Sequence, residues 1–174
     1  HMDEDDGRVA VLLPHGVLFR GGAEETIRKY IIKDLNRLDA VIGLPANLFH
    51  GTGIPVCVLV LKSKRNGNAG NILFIDASKE FKAGKNQNVL EQKNIDKIVE
   101  TYEKRVDVDK FAHVAKMSEI AENGYNLNIP RYVDTFEEEE PVDLNEVKSH
   151  IQKLDAARKV MIEKANSMLK ELGL

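Results

Sequence analysis

The sequence is short of three things, and each shortage closes off a class of function. It holds a single cysteine, Cys57. That excludes a disulfide framework or a cysteine zinc site within one chain, and it fits a reducing, cytoplasmic setting. No apolar run approaches the roughly 18 residues that a spanning helix requires. The most apolar stretch is residues 54–61, and the chain does not open on a charged-then-apolar leader, so a soluble protein with no membrane partner is expected. Positive charge is also not in surplus. With 25 Lys and Arg against 28 Asp and Glu, the net charge is −3 and the pI about 6.0. A self-sufficient nucleic-acid binder would carry a basic stripe to neutralise phosphates, so any contact with DNA has to be local or shared.

What is present is a succession of apolar runs and helical patterns, 43% apolar over 174 residues, enough for one globular domain with an appendage. His1-Met2 reads as a cloning scar, and Asp3 to Asp6 completes an acidic lead-in, residues 1–6. Val9-Ala10-Val11-Leu12-Leu13, ended by Pro14, has the pattern of a strand buried on both faces of a helix-covered sheet. After Gly21-Gly22, residues Ile27, Tyr30, Ile31 and Leu35 are spaced by threes and fours, with Glu24 and Glu25 in the first turn. That predicts a helix of about three turns. Strands are expected over 38–44, 56–61 and 72–76, the last after the turn-prone stretch 66–70. Ile95, Ile98, Val99, Tyr102 and Val106 mark the face of a second helix, a short helix fits 118–122, and the Asn and Pro content of 125–132 indicates an ordered loop. The order strand, helix, strand, strand, strand indicates an α/β architecture for residues 7–136.

Glu137 to Glu140 and Pro141 form a solvated break, and 137–174 reads as a linker followed by a long helix. Asp143 and Glu146 form a capping pair, followed by a three-four series of Leu144, Val147, Ile151, Leu154, Met161, Ala165, Met168 and Leu172, with Arg158 its one charged member. At 1.5 Å per residue such a helix extends roughly 45 Å, more than a small α/β core can cover, so part of its apolar stripe should seek a partner.

Four ordered blocks carry a resemblance. They are residues 7–22 (Gly7-Arg8-Val9 through Phe19-Arg20-Gly21-Gly22) with Glu25 and Ile27-Arg28, residues 41–55 around Pro45-Ala46-Asn47-Leu48-Phe49-His50-Gly51-Thr52-Gly53, residues 73–78, and Tyr125-Asn126-Leu127-Asn128-Ile129-Pro130-Arg131-Tyr132. Together they resemble the modification subunit of type I restriction-modification systems, a DNA adenine-N6 methyltransferase family. The resemblance implies a Rossmann-like class I fold, of which this chain would hold the C-terminal part of the sheet. It implies S-adenosylmethionine as methyl donor in the parent protein. It also implies a complex with a specificity subunit, a restriction subunit and DNA. Neither the glycine-rich donor loop nor the Asn-Pro-Pro-aromatic motif is found here; in the family both lie upstream of these blocks. The part in hand is therefore expected to be inactive alone, with no catalytic residue, no metal and no bound donor.

The candidate residues each admit two readings. Phe49 lies where the resemblance places an aromatic ring against a flipped adenine, or else it anchors the loop in the core. Gly51 and Thr52 offer close backbone approach and a hydroxyl, or simply a tight turn. His15 and Arg20 follow a strand and precede a helix entered at Gly21-Gly22, so that backbone N–H groups and the Arg suit a phosphate, or else this is a surface loop with a strand-end His. Asn126, Asn128, Arg131 and Tyr132 suit phosphates or base edges, or they pin the loop to the domain. The loop Lys82 to Asn88 could touch a backbone phosphate or be a mobile polar loop. Leu144, Val147, Ile151, Leu154, Met161 and Met168 would dock on the specificity subunit, pack back in cis or self-associate. The rival to the enzyme fragment is an autonomous assembly module, and a bare hydrophobic sheet edge would favour the cut enzyme.

Overall fold

The computed structural model describes residues 2–135 and 144–171, which fall into two units, His1–Phe136 and Glu137–Leu174. In the first unit the chain forms β1 (Arg8–Pro14), a 3-10 turn (His15–Leu18), α1 (Ala23–Lys29) continuing into a π turn (Tyr30–Asp34), β2 (Leu38–Gly43), β3 (Val56–Lys62) and β4 (Asn71–Asp76). It ends with α2 (Gln92–Lys104), β5 (Ala112–Lys116), α3 (Met117–Glu122) and a 3-10 turn (Ile129–Arg131). The strands make one mixed sheet in the order β1-β3-β2-β4-β5. Only β2 and β4 pair in parallel; β3 runs antiparallel between β1 and β2, so β1, β2 and β4 point the same way. Their C-terminal ends, Pro14, Gly43 and Asp76, therefore meet at one end of the sheet, and Arg8, Lys62, Asp39 and Asn71 meet at the other.

Two apolar layers hold the sheet. On one face Val41, Cys57, Ile72 and Phe74 pack with Leu18, Ile32, Ile120, Leu127 and Ile129. On the other face Ala40, Ile42, Leu73 and Ile75 pack with Ile98 and Phe111. The expected strands over 38–44, 56–61 and 72–76 form. β5 was not anticipated, because Ala112-His113-Val114-Ala115-Lys116 contains one β-branched residue and takes its conformation from pairing with β4.

Three burial expectations are corrected. The apolar run 9–13 is not buried on both faces: β1 is an edge strand with Leu12 45% exposed and alternate residues half-buried, because β3 is its one partner among the described residues. In α1 and the turn that continues it, Ile31 packs on the core as expected, but Ile27, Tyr30 and Leu35 are exposed, and the buried pair is Arg28 and Ile32. The reason is polar: the Arg28 guanidinium donates to the carbonyls of Val17 (2.8 Å), Arg20 (2.7 Å) and Tyr125 (3.3 Å), which sets the phase of the helix. In α2, Ile98 turns inward and Tyr102 packs against the core as expected, but Ile95, Val99 and, just past its end, Val106 are exposed, and Asn94 and Thr101 are buried instead. Asn94 is fixed there by a capping box in which its Oδ1 accepts from the Glu91 N–H at 3.0 Å.

In the second unit α4 (Leu144–Glu171) is one helix of 28 residues, about 42 Å long at 1.5 Å per residue. Val147, Ile151, Leu154, Met161 and Met168 are all exposed. The Asp143–Glu146 cap, the Leu144 side chain and Leu172 lie outside the described residues.

Candidate functional site

The end of the sheet where β1, β2 and β4 terminate gathers most of the sequence candidates. As β1 runs out, the 3-10 turn places His15 half-buried, with Nε2 3.0 Å from the carbonyl oxygen of Val56 at the start of β3. A carbonyl only accepts, so Nε2 is the donor of this bond, and in that tautomer Nδ1 is left as an acceptor. Arg20, one helical turn before Glu24, is exposed and pairs with it at 3.5 Å. Pairs of this kind on a surface contribute little to stability, so the guanidinium is readily redirected.

The 125–132 block comes to the same place. The Leu127 N–H donates to the carbonyl of Leu18 at 2.9 Å, and Arg28 bridges Tyr125 to the turn carrying His15. A Cβ on Gly43 would lie 2.6 Å from Ile129 Cδ1 and 3.8 Å from His15 Cε1, so Ile129, Gly43 and His15 share one spot at the end of β2. Within the block, Asn126 Oδ1 accepts from the Asn128 N–H (2.9 Å), and the Tyr132 hydroxyl donates to the carbonyl of Asn126 (2.6 Å). The Tyr132 ring stacks on Phe74 with centroids 3.9 Å apart. Burial, with the nearby Glu119 carboxylate, pushes the Tyr132 phenol up to about 12. Tyr132 and Asn126 thus pin the loop. Arg131 is exposed, 3.4 Å from Asn123 Oδ1, and the Asn128 side chain has no partner among the described residues.

The second group lies on the loop after β2. Phe49 and Thr52 bridge across a tight turn in which Gly51 (φ 77°) is left-handed, as is Asn47 (φ 58°) just before it, a conformation natural to Gly and Asn. Thr52 Oγ1 accepts from the Ile54 N–H at 3.3 Å. Phe49 is 42% exposed, so its ring is not the core anchor. The polar loop 82–88 lies against this turn: Asn88 donates from its backbone N–H to Asn47 O (2.8 Å) and from its side chain to Ala46 O (2.9 Å). The glycines near the strand ends are filled by the chain's own side chains, Gly43 by Ile129, Gly16 by the Arg20 guanidinium and Gly53 by Asn47 Oδ1. These three are packing glycines, whereas Gly22 and Gly51 face open space.

Two features carry little signal in the sequence. One is Arg28, whose signal was a charged residue in phase with the buried face. The other is Asp39, an acid inside the apolar stretch of β2 and 0% exposed. Lys62 (3.1 Å), Arg65 (3.5 Å) and Arg105 (3.3 Å) surround it, and the Tyr102 hydroxyl donates to Oδ2 at 2.7 Å. Burial works to raise this carboxyl, but the Tyr102 hydrogen bond and the Arg105 and Lys62 charges together hold it below the usual range.

The strand-end groups amount to binding chemistry: an exposed ring to stack on, a hydroxyl, an amide, a guanidinium and an imidazole acceptor. Among the described residues there is no group of three or more His, Cys, Asp or Glu that could hold a metal ion, and no helix long and apolar enough to cross a membrane. An α/β sheet that presents polar loops beyond the carboxyl ends of its parallel strands defines a ligand-handling domain. The chain belongs to the N-6 DNA methylase family, whose sequence model matches residues 1–141. It is 39% identical over 170 residues to the MjaVIII type I restriction enzyme methylase subunit of Methanocaldococcus jannaschii, covering 95% of this chain and 29% of that protein. Over 167 residues it is 36% identical to the MpnII methylase subunit of Mycoplasma pneumoniae, covering 96% of this chain and 30% of that one. Among solved structures, the type I restriction-modification methyltransferase subunit from Streptococcus thermophilus superposes with a TM-score of 0.73 at 56% identity, over 77% of this chain and 28% of that chain. The chain thus spans about three-tenths of the length of the relatives it matches.

Proposed function

We propose that this chain is the later part of the catalytic sheet, with the assembly helix, of a type I restriction-modification methyltransferase subunit. In the whole protein the domain would transfer a methyl group from S-adenosylmethionine to N6 of adenine in DNA. The observation that carries this reading is the free edge of β1. A strand of seven residues, apolar through its middle, with one edge unpaired among the described residues and Leu12 exposed, is what a strand looks like when its neighbour belongs to another stretch of chain. On this reading β1, β3 and β2 are the closing strands of a Rossmann-like class I sheet, and the donor site and adenine-binding motif are supplied beyond β1. No step of the chemistry is assigned to this chain's residues.

The roles left to this chain are those of holding. Phe49 stacks on the extruded base, with Thr52 and the open Gly51 backbone at its edge. His15 Nδ1 accepts from a donor on a base edge, Arg20, Asn128 and Arg131 meet base edges or phosphates, and Asn126 and Tyr132 keep their loop in place. The partners are DNA, the specificity subunit and the restriction subunit. The second reading, an assembly module that docks the specificity subunit, has its own observation in the exposed Val147, Ile151, Leu154, Met161 and Met168 of α4. It assigns the job of that unit and coexists with the first.

Isothermal titration with S-adenosylmethionine separates the cases. The full-length subunit should bind while this 174-residue chain shows no heat of binding. Saturable binding by the chain would mean that a donor site lies within it and that the division is drawn in the wrong place.

A further inference from the structure

The end of the sheet opposite the strand-end site has chemistry that the methyl-transfer reading does not use. There Asp39 is asked to neutralise three cations. Arg65 (side chain 2% exposed), Arg105 (10%) and Lys62 (22%) converge on one carboxylate, so three positive charges less one negative leave a surplus of +2 in a largely buried cluster. Uncompensated charge held away from water is costly, and a counter-ion at the open side relieves it. The open side is a cavity of about 780 Å³ walled in part by Lys62, Tyr102 and Arg105. Arg8, at the start of β1, and Lys104 also line it; Arg8 is exposed and has no acidic partner among the described residues.

The polar groups are arranged for an acceptor-rich ligand. Arg105 donates from Nε (3.0 Å) and Nη2 (2.8 Å) to Asn71 Oδ1, and this fixes the Asn71 amide with its nitrogen unpartnered among the described residues. Asn71 and Asn68 both line the cavity. Of the acids nearby, Asp5 is taken by Lys64 at 2.5 Å and Glu100 by Lys104 at 2.5 Å, while Asp6 borders the adjoining hollow beside Arg8. Glu103 is the one acid lining the described cavity.

We propose that this cavity is a binding site for a phosphate-type oxyanion, gripped by Arg8, Lys62, Lys104 and Arg105 with the Asn71 amide as a further donor. A phosphate group supplies the missing negative charge, and its several oxygens match a wall in which four cationic side chains stand against one acid, Glu103. The seven residues of β1 put the site about 20 Å from His15, too far to share one ligand with the strand-end groups. It is therefore a second site, independent of the proposed base pocket. The phosphates come either from a small free phosphate compound or from a nucleic-acid backbone that passes this end of the domain.

The test is a titration of the 174-residue chain with inorganic pyrophosphate at low salt, read by amide and arginine Nε shifts in nuclear magnetic resonance. Saturable shifts are expected at residues 8, 62, 71, 104 and 105. Arg8→Gln and Lys104→Gln, both exposed side chains outside the Asp39 contacts, should each weaken binding roughly tenfold and leave the fold intact. Lys85→Gln, in the loop at the other end of the sheet, should leave binding unchanged. Absence of saturable shifts, or equal weakening by all three variants, would overturn the proposal. A short DNA duplex added to the pyrophosphate complex then identifies the source: displacement assigns the site to a nucleic-acid backbone, and retention assigns it to a free phosphate compound.

Discussion

Replacing Asp39 with Asn changes one charge and almost no volume, which makes it the sharpest probe of how this domain is held. The carboxylate is fully buried and faces Lys62, Arg65 and Arg105, with the Tyr102 hydroxyl donating to it. Asn keeps an oxygen for Tyr102 but removes the one negative charge, leaving three cations to repel each other. Breaking a buried pair by removing one partner costs about 3–5 kcal/mol, and the partial exposure of Lys62 argues for the lower half of that range. With a urea slope of about 2 kcal/mol per molar for a domain of this size, the unfolding midpoint should fall by roughly 1.5–2 M. Acid dependence gives a second reading. The folded carboxyl sits below its ordinary value, so its stabilisation is present above the unfolded pKa near 3.8 and is lost as pH falls through the lowered value. The wild-type chain should therefore lose stability on acidification more steeply than Asp39→Asn. A loss below about 1 kcal/mol, typical of exposed pairs, with unchanged acid dependence, would refute the claim that Asp39 neutralises the cluster.

Three further outcomes follow from the contacts at the other end. Phe49→Ala should shift chain stability by less than about 0.5 kcal/mol because the ring is exposed, yet lower DNA methylation by the full-length subunit by about 1–3 kcal/mol in kcat/KM, the worth of one stacked base. Equal losses in both assays would return Phe49 to the core. Arg28→Met strands the carbonyls of Val17, Arg20 and Tyr125; a loss of roughly 3 kcal/mol is expected, with faster proteolysis within 125–132, and normal protease resistance would contradict the bridging role. Tyr132→Phe removes the hydrogen bond to Asn126 and should cost about 1 kcal/mol at neutral pH. Because the folded phenol is raised to about 12, its stabilising effect is complete below the unfolded pKa near 10 and is lost as pH rises from there through 12, so ultraviolet titration should find Tyr132 still protonated at pH 11.

The elements that were legible in the sequence are those whose signal is local. β2, β3 and β4 are runs of apolar residues between turn signals, and a run of that kind specifies a strand wherever its neighbours lie. β5 is not such a run, because its two alanines, histidine and lysine become a strand only by pairing with β4. The helix phases of α1 and α2 are legible only in part, through Ile31, Ile98 and Tyr102, for a related reason. Arg28 and Asn94 turn inward because backbone groups distant in sequence, or a cap, take up their polar atoms, and no count of apolar spacing detects that. The strand-end candidates were visible as contiguous blocks, and the structure brings His15 together with the 125–132 block at Gly43. It also moves Asn126 and Tyr132 to the role of fixing their loop. The Asp39 cluster stayed hidden because its members, at positions 39, 62, 65, 102 and 105, meet only once the sheet is closed.

The edge of β1 decides between a cut enzyme and a self-contained module, and amide hydrogen exchange reads it residue by residue. In this chain the β1 N–H groups that do not face β3 should exchange at rates close to those of open chain, and in the full-length subunit the same groups should be slowed at least 100-fold by a neighbouring strand. Unprotected β1 edge amides in both proteins would contradict the account, since the sheet would then end at β1 in the parent as well.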